Sequence, residues 1–155
     1  MQDDVGSFVE KAAIARTGGD LPRAAAFLAP LQPAAGDPTA WETLAYQAIL
    51  ERRPAEIIPR LQEILARPDP ALGYLNGELR FWLGWAQQVA GDEAAAQTTW
   101  YEARRELETL IDEQADNTSL LQDLALVTMG LGEKEAAFAL GETATSTTAI
   151  DRQPM

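Results

Sequence analysis

FWLGWAQQVAGDEAAAQTTW, residues 81–100, holds three of the four tryptophans of the chain and one of its four phenylalanines. Gly91-Asp92 divides it into two stretches. A glycine just past a helix end can take the left-handed conformation, and a following Asp can cap the next helix. The stretch therefore reads as one helix ending, a tight turn and a second helix starting.

The same punctuation recurs outward in both directions. GGD (18–20), GD (36–37) and GE (132–133) also separate Ala/Leu-rich stretches. Asp-Pro at 37–38 and 69–70 sets an Asp at an N-cap with Pro in the first turn, where a missing N–H is no loss. Pro22 and Pro54 stand at the starts of other stretches. Together these marks predict helices over roughly 5–17, 21–31, 38–50, 54–66, 70–90, 92–114, 117–130 and 133–147. The short connections make neighbours antiparallel. No alternating run of β-branched or aromatic residues is long enough for a strand, so the expected fold class is all-α.

Composition agrees and removes several functions. The 155 residues suit one domain, and 46% apolar with 23% charged is ordinary for a folded chain. Net charge is −12, with 24 acids against 12 bases, so neither nucleic acid nor an anionic membrane surface is an expected partner. Cysteine and histidine are both absent. That removes disulfides, zinc-thiolate sites, and Ser-His-Asp or Cys-His catalysis. No apolar run approaches the ~18–20 residues of a membrane span, and MQDDVGSFVE has no signal-peptide pattern. The expectation is a cytoplasmic protein that does not insert into membranes.

Small and apolar residues repeat in register. Leu83-Gly84 is followed by Gly91, Ala96 and Trp100, and Leu124-Ala125 by Gly132 and Ala137. Trp41-x2-Leu44-Ala45 is followed by Ile57-x3-Leu61, and Phe8-x2-Lys11-Ala12 by Gly19 and Ala24-x3-Leu28. Ala12, Ala45, Gly84 and Ala125 thus recur at intervals of 33, 39 and 41 residues. Glycine inside a helix costs ~1 kcal/mol relative to alanine, so tight packing is the expected reason for Gly84.

This pattern resembles the tetratricopeptide (TPR) family, W-x2-L-G-x2-Y, then A-x3-F, then P. The resemblance covers about residues 5–148. It implies a right-handed α-solenoid of about four helix hairpins, with repeats near 5–37, 38–69, 70–116 and 117–148 and a polar tail over 149–155. The chain departs from the pattern at the tyrosine position, held by Ala15, Ala48, Gln87 and Thr128. Pro33 and Pro68 lie near the terminal proline, whereas the third repeat has none. Its second helix runs on to about Ile111, and IDEQADN (111–117) turns into the fourth repeat. RFWLGWAQQVAGD (80–92) and LLQDLALVTMGLGEKEAA (120–137) also resemble TPR regions attached to bacterial serine/threonine kinases and cyclase-type regulators. No kinase or cyclase motif is present.

In TPR proteins the first helix of each pair lines a concave surface. The resemblance then implies groove stripes of Val9, Ala13 and Arg16; Glu42, Tyr46 and Ile49; Phe81, Trp85 and Gln88; and Gln122, Leu126 and Met129. Trp82 borders them, while Trp41 and Trp100 fall in the core. Such a groove is aromatic in its middle, with Glu42 and Asp123 adding charge at its edge, and suits a protein or peptide with apolar anchors and a basic flank. The carboxylate clamp of some TPR proteins needs Lys, Arg and Asn on these stripes, and only Arg16 could serve. Packing of the same side chains against neighbouring helices stays open as the alternative.

The function expected is a non-catalytic scaffold or regulatory module, with no metal and no cofactor. The rivals are a small-molecule pocket walled by Trp82 and Trp85, or a homo-oligomerising helical domain of a larger bacterial signalling protein. The acids Glu102, Glu106, Glu108, Asp112, Glu113 and Asp116, interspersed with Arg104 and Arg105, read as a solvated face. Asn117 of the sequon Asn117-Thr118-Ser119 reads as an N-cap. GETATSTTAIDRQPM (141–155) reads as a weak helix and a tail, which either frays or leads into further chain.

Overall fold

The computed structural model describes residues 5–30 and 37–152, with side chains described for 7–30 and 37–146. Among them there is helix and no strand: α1 (Val5–Thr17), α2 (Leu21–Leu28), α3 (Pro38–Leu50), α4 (Ile58–Ala66), α5 (Tyr74–Val89), α6 (Glu93–Ile111), α7 (Thr118–Gly130) and α8 (Lys134–Arg152). The expected end of the second helix at residue 31, Pro33, Gly36 and residues 153–155 of the tail lie outside the described residues.

Helix starts follow the Asp and Asn signals. Asp20 accepts from the Arg23 N–H (3.1 Å), Asp37 from Ala40 (3.3 Å), Asp92 from Ala95 (3.1 Å) and Asn117 from Leu120 (3.1 Å). Each bond satisfies one amide that the helix itself leaves free, a contribution of about 1 kcal/mol.

Two expected helices are divided. Asp69 caps Ala71 (2.9 Å), but the turn Pro70–Leu72 is 3-10, and Gly73 at φ 55° and ψ −126° separates it from α5. A second 3-10 turn, Pro54–Glu56, precedes α4, whose first turn contains Pro59. Proline has no N–H to donate to the preceding turn, so the α-helix starts there instead of continuing. At the other end α8 runs to Arg152, beyond the expected 147.

Helices adjacent in sequence pack as hairpins, α1 with α2, α5 with α6 and α7 with α8. The second unit differs, because α4 lies against α5 and the 3-10 turn more than against α3. The odd helices also touch in order, α1 on α3, α3 on α5 and α5 on α7. This row brings side chains of α3, α5 and α7 together.

The core has three parts. Ala12, Ala15, Ala24 and Leu28 join α1 to α2. Trp41, Ala45, Ile49, Leu61, Leu79 and Leu83 join α3, α4 and α5. Trp100, Ala103, Leu107, Leu120, Leu124 and Val127 join α6 to α7. Among the described residues Trp100 is the largest fully buried side chain, and its indole N–H donates to the Phe81 carbonyl at 3.1 Å. A Cβ built on Gly84 would lie 2.6 Å from Trp100 Cδ1, so the expected tight packing is real. Gln87, at the family's tyrosine position, is buried and accepts from Thr99 Oγ1 at 2.6 Å.

Candidate functional site: aromatics and carboxyls shared by three helices

On α5, Glu78, Phe81, Trp82 and Trp85 follow the i, i+3, i+4, i+7 spacing that keeps side chains on one face. Trp82 and Trp85 stack at 5.2 Å between centroids and 21° between planes. Phe81 lies 5.6 Å from Trp82 and 5.9 Å from Trp85. Tyr46 of α3 meets Trp82 edge-on at 5.5 Å and Trp85 at 6.2 Å. Such contacts are worth about 0.5–1.5 kcal/mol each beyond the area they bury. Phe81, Trp82 and Trp85 are all half-buried, and Trp85 packs against the cores on both sides. The rings pack on one another and against the cores, and each stays partly exposed.

A cation already uses one ring. The Arg16 guanidinium of α1 sits 4.9 Å from the Tyr46 centroid, and its Nη1 donates to the Thr43 carbonyl at 3.3 Å.

Beside the rings stand three carboxyls, Glu42 of α3, Glu78 of α5 and Asp123 of α7. Burial pushes Glu42 up to about 9, helped by a hydrogen bond and repulsion from Glu78 and by the charge of Asp123, while a hydrogen-bonding contact from Trp82 opposes the rise. Burial also pushes Asp123 up to about 8, with Glu78 again adding repulsion and a hydrogen bond. Two carboxyls can hydrogen-bond only while one of them holds a proton. Glu42 Oε1 and Asp123 Oδ2 are buried without a donor. Among the described residues, no set of three or more His, Cys, Asp or Glu side chains is arranged to hold a metal ion.

The site residues expected from the sequence separate into four groups, one of them Glu42 alone, half-buried among the carboxyls. Tyr46, Phe81, Trp82 and Trp85 meet in one cluster. Gln88, Gln122, Leu126 and Met129 are exposed, the last three as an i, i+4, i+7 stripe on α7. Ile49 is a correction. It is only 5% exposed, because Trp41, Ala45 and Ile49 form the i, i+4, i+8 stripe that α3 turns to the core. Asp123 is a second correction: it was expected at an edge and is 7% exposed. Glu78 was missed, although it lies four residues before Trp82 on the same face of α5.

Comparison with protein-family models, curated proteins and solved structures gives no match for this chain. The functional reading rests on the site itself.

The acidic series of α6 is largely a solvated face. Glu106 is the exception, accepting from Arg80 Nε at 2.9 Å, with Glu102 3.4 Å from Arg80 Nη1. Arg104 pairs with Glu133 and, at 3.9 Å, with Glu108. These surface pairs are worth about 0–1 kcal/mol each. No helix of the described residues is long and apolar enough to cross a membrane.

Proposed function

We propose that this chain is a TPR-like, right-handed α-solenoid acting as a non-catalytic interaction module. The face made by α3, α5 and α7 takes a helix or extended peptide from a protein partner. The observation that carries this reading is the position of Leu126 and Met129. They are 46% and 40% exposed, three residues apart on the helix next to the aromatic cluster. Single apolar side chains are common on protein surfaces, but a stripe beside a half-buried aromatic group offers the anchor pockets that partner helices use.

The repeat reading draws support from the turns after α1, α3, α5 and α7. In each, the N–H of the first residue after the helix cap bonds a carbonyl three residues back, and the next N–H bonds one five back. The left-handed residues at these four turns are Gly19, Arg52, Gly91 and Gly132, at the same 33, 39 and 41 intervals as the small residues.

Peptides selected from a displayed library against this chain test the proposal. They should carry apolar anchors and bind the Leu126→Glu, Met129→Glu double variant at least about ten-fold more weakly, a loss near 1.4 kcal/mol. Both positions are exposed, so the melting temperature should stay unchanged. Equal binding to the variant would sink the proposal.

Self-association is the second reading, favoured by Phe138. It is 64% exposed on α8, beside Gly141, Glu142 and Thr145. A solution mass that rises with concentration, and stops rising in Phe138→Glu, would support it; a constant monomer mass would end it. A pocket between Trp82 and Trp85 is disfavoured because the two indoles stack on each other and leave no slot.

A further inference from the structure

We propose that Glu42, Glu78 and Asp123, beside Trp82, form a subsite that takes one arginine side chain of the partner segment. This deepens the interaction-module reading and rests on it.

The first argument is an imbalance of acceptors. Three helices bring carboxyls together, and the charges acting on Glu42 and Asp123 are other carboxyls, with no base among them. Asp123 Oδ2 is buried with no donor, on a residue 7% exposed, and Glu42 Oε1 is in the same position. The nearby bases are engaged elsewhere. Arg16 of α1 lies on Tyr46 and Thr43, and Arg80 of α5 turns to Glu106 and Glu102 of α6. No side chain among the described residues donates to these two oxygens, and the N–H groups of a ligand would satisfy them. Glu42 and Glu78 are partly exposed, whereas Asp123 is buried.

The second argument selects the ligand. A guanidinium presents five N–H donors in a planar fork, stacks on aromatic faces and is weakly hydrated. Three carboxyls carried by three helices, with the Trp82 indole against Glu42, suit that chemistry. An ammonium is a compact, strongly hydrated point charge and gains less from the rings. Arg16 on Tyr46 already shows a guanidinium held by one ring of this cluster.

A consequence separates this subsite from simple surface attraction. The groups that act on one another are Glu42 from α3, Glu78 from α5 and Asp123 from α7, with Arg16 of α1 against the neighbouring Tyr46 ring. Burial and mutual repulsion make Glu42 and Asp123 hold their protons more tightly than ordinary carboxyls, so an entering guanidinium displaces one.

The test uses N-acetyl-argininamide, with N-acetyl-citrullinamide as its neutral isostere and N-acetyl-lysinamide as the ammonium control. Binding to the whole chain is followed at the Trp82 indole by NMR. The arginine compound should bind at least about ten-fold more tightly than either control. Calorimetry in buffers of different ionisation enthalpy at pH 7 should show release of about one proton. Glu78→Gln and Asp123→Asn should each remove the preference while the fold persists by circular dichroism. Glu42→Gln serves in the same way if either fails to fold.

Equal binding of the arginine and citrulline compounds would overturn the proposal, as would absence of binding or a preference that survives these substitutions. Equal binding of the lysine compound would overturn the choice of arginine. If selected peptides need Leu126 and Met129 but tolerate citrulline in place of arginine, the subsite falls and the groove stands. If the arginine compound binds as expected but no peptide does, the groove reading falls and the cation site stands.

Discussion

At the scale of residues, the densest argument is at Trp100. Gly84 of α5 lies against one part of its indole, and a Cβ built on Gly130 of α7 would lie 2.8 Å from Trp100 Cδ2. The ring has no free side to move into. Gly84→Ala gains up to ~1 kcal/mol of helix propensity, yet it should lower stability by about 1–3 kcal/mol through overpacking. Urea denaturation at neutral pH measures this.

The carboxyl pair makes a second prediction at this scale. Well below pH 4 both the folded and unfolded chains hold the Glu42 and Asp123 protons, and the pair costs nothing. As pH rises from the ordinary carboxylate range toward about 8–9, the unfolded chain releases protons that the folded chain keeps. Stability therefore falls across that window. Asp123→Asn should raise stability at pH 8 by roughly 1–2 kcal/mol, after allowance for solvent screening, and change little at pH 4. Thermal unfolding at both pH values checks it, and an equal shift at both would contradict the assignment. Gly84 was legible in the sequence as a packing glycine because its helix penalty demanded a reason. Glu78 and the burial of Asp123 were not, since a charged residue on a helix reads as solvated until the neighbouring helices are placed.

At the scale of elements, capping and turn residues carried most of the information. Asp20, Asp37, Asp92 and Asn117 start their helices as read from the sequence. The turn after α3 was harder to see because Arg52 holds the position that glycine holds in the other three, at φ 60°. A side chain there is strained, and nothing else about Arg52 requires it, since it is exposed. Arg52→Gly should stabilise the fold by about 1 kcal/mol, read as a higher melting temperature. The divisions at Gly73 and before Pro59 were not read, because Pro54 and Pro70 signal a helix start without saying whether its first turn is 3-10 or α. The extent of α8 was underread for a similar reason. Thr and Ser weaken a helix without ending it.

At the scale of the whole molecule, helical content was legible from Ala and Leu, and three of the four expected hairpins from their short connections; the fourth was not, because α4 packs on α5 more than on α3. Which faces meet was not legible. The stripe that includes Ile49 was assigned by family resemblance, whereas Trp41 and Ala45 on the same side of α3 draw it into the core. Trp82 was placed as a border and turns out to be central, touching Tyr46, Phe81 and Trp85. Periodicity gives the angle between side chains on one helix, but the rotation of that helix against its neighbours comes from packing.

The four tryptophans report directly on the central claim, that the partner surface is the α3, α5 and α7 face. Trp82 and Trp85 belong to that face, whereas Trp41 and Trp100 are buried in separate cores. The deciding measurement is an NMR titration of the four indole N–H resonances with a selected peptide. The account predicts movement of Trp82 and Trp85 with Trp41 and Trp100 unmoved. A bound peptide that leaves Trp82 and Trp85 in place, or that moves all four alike, would contradict it.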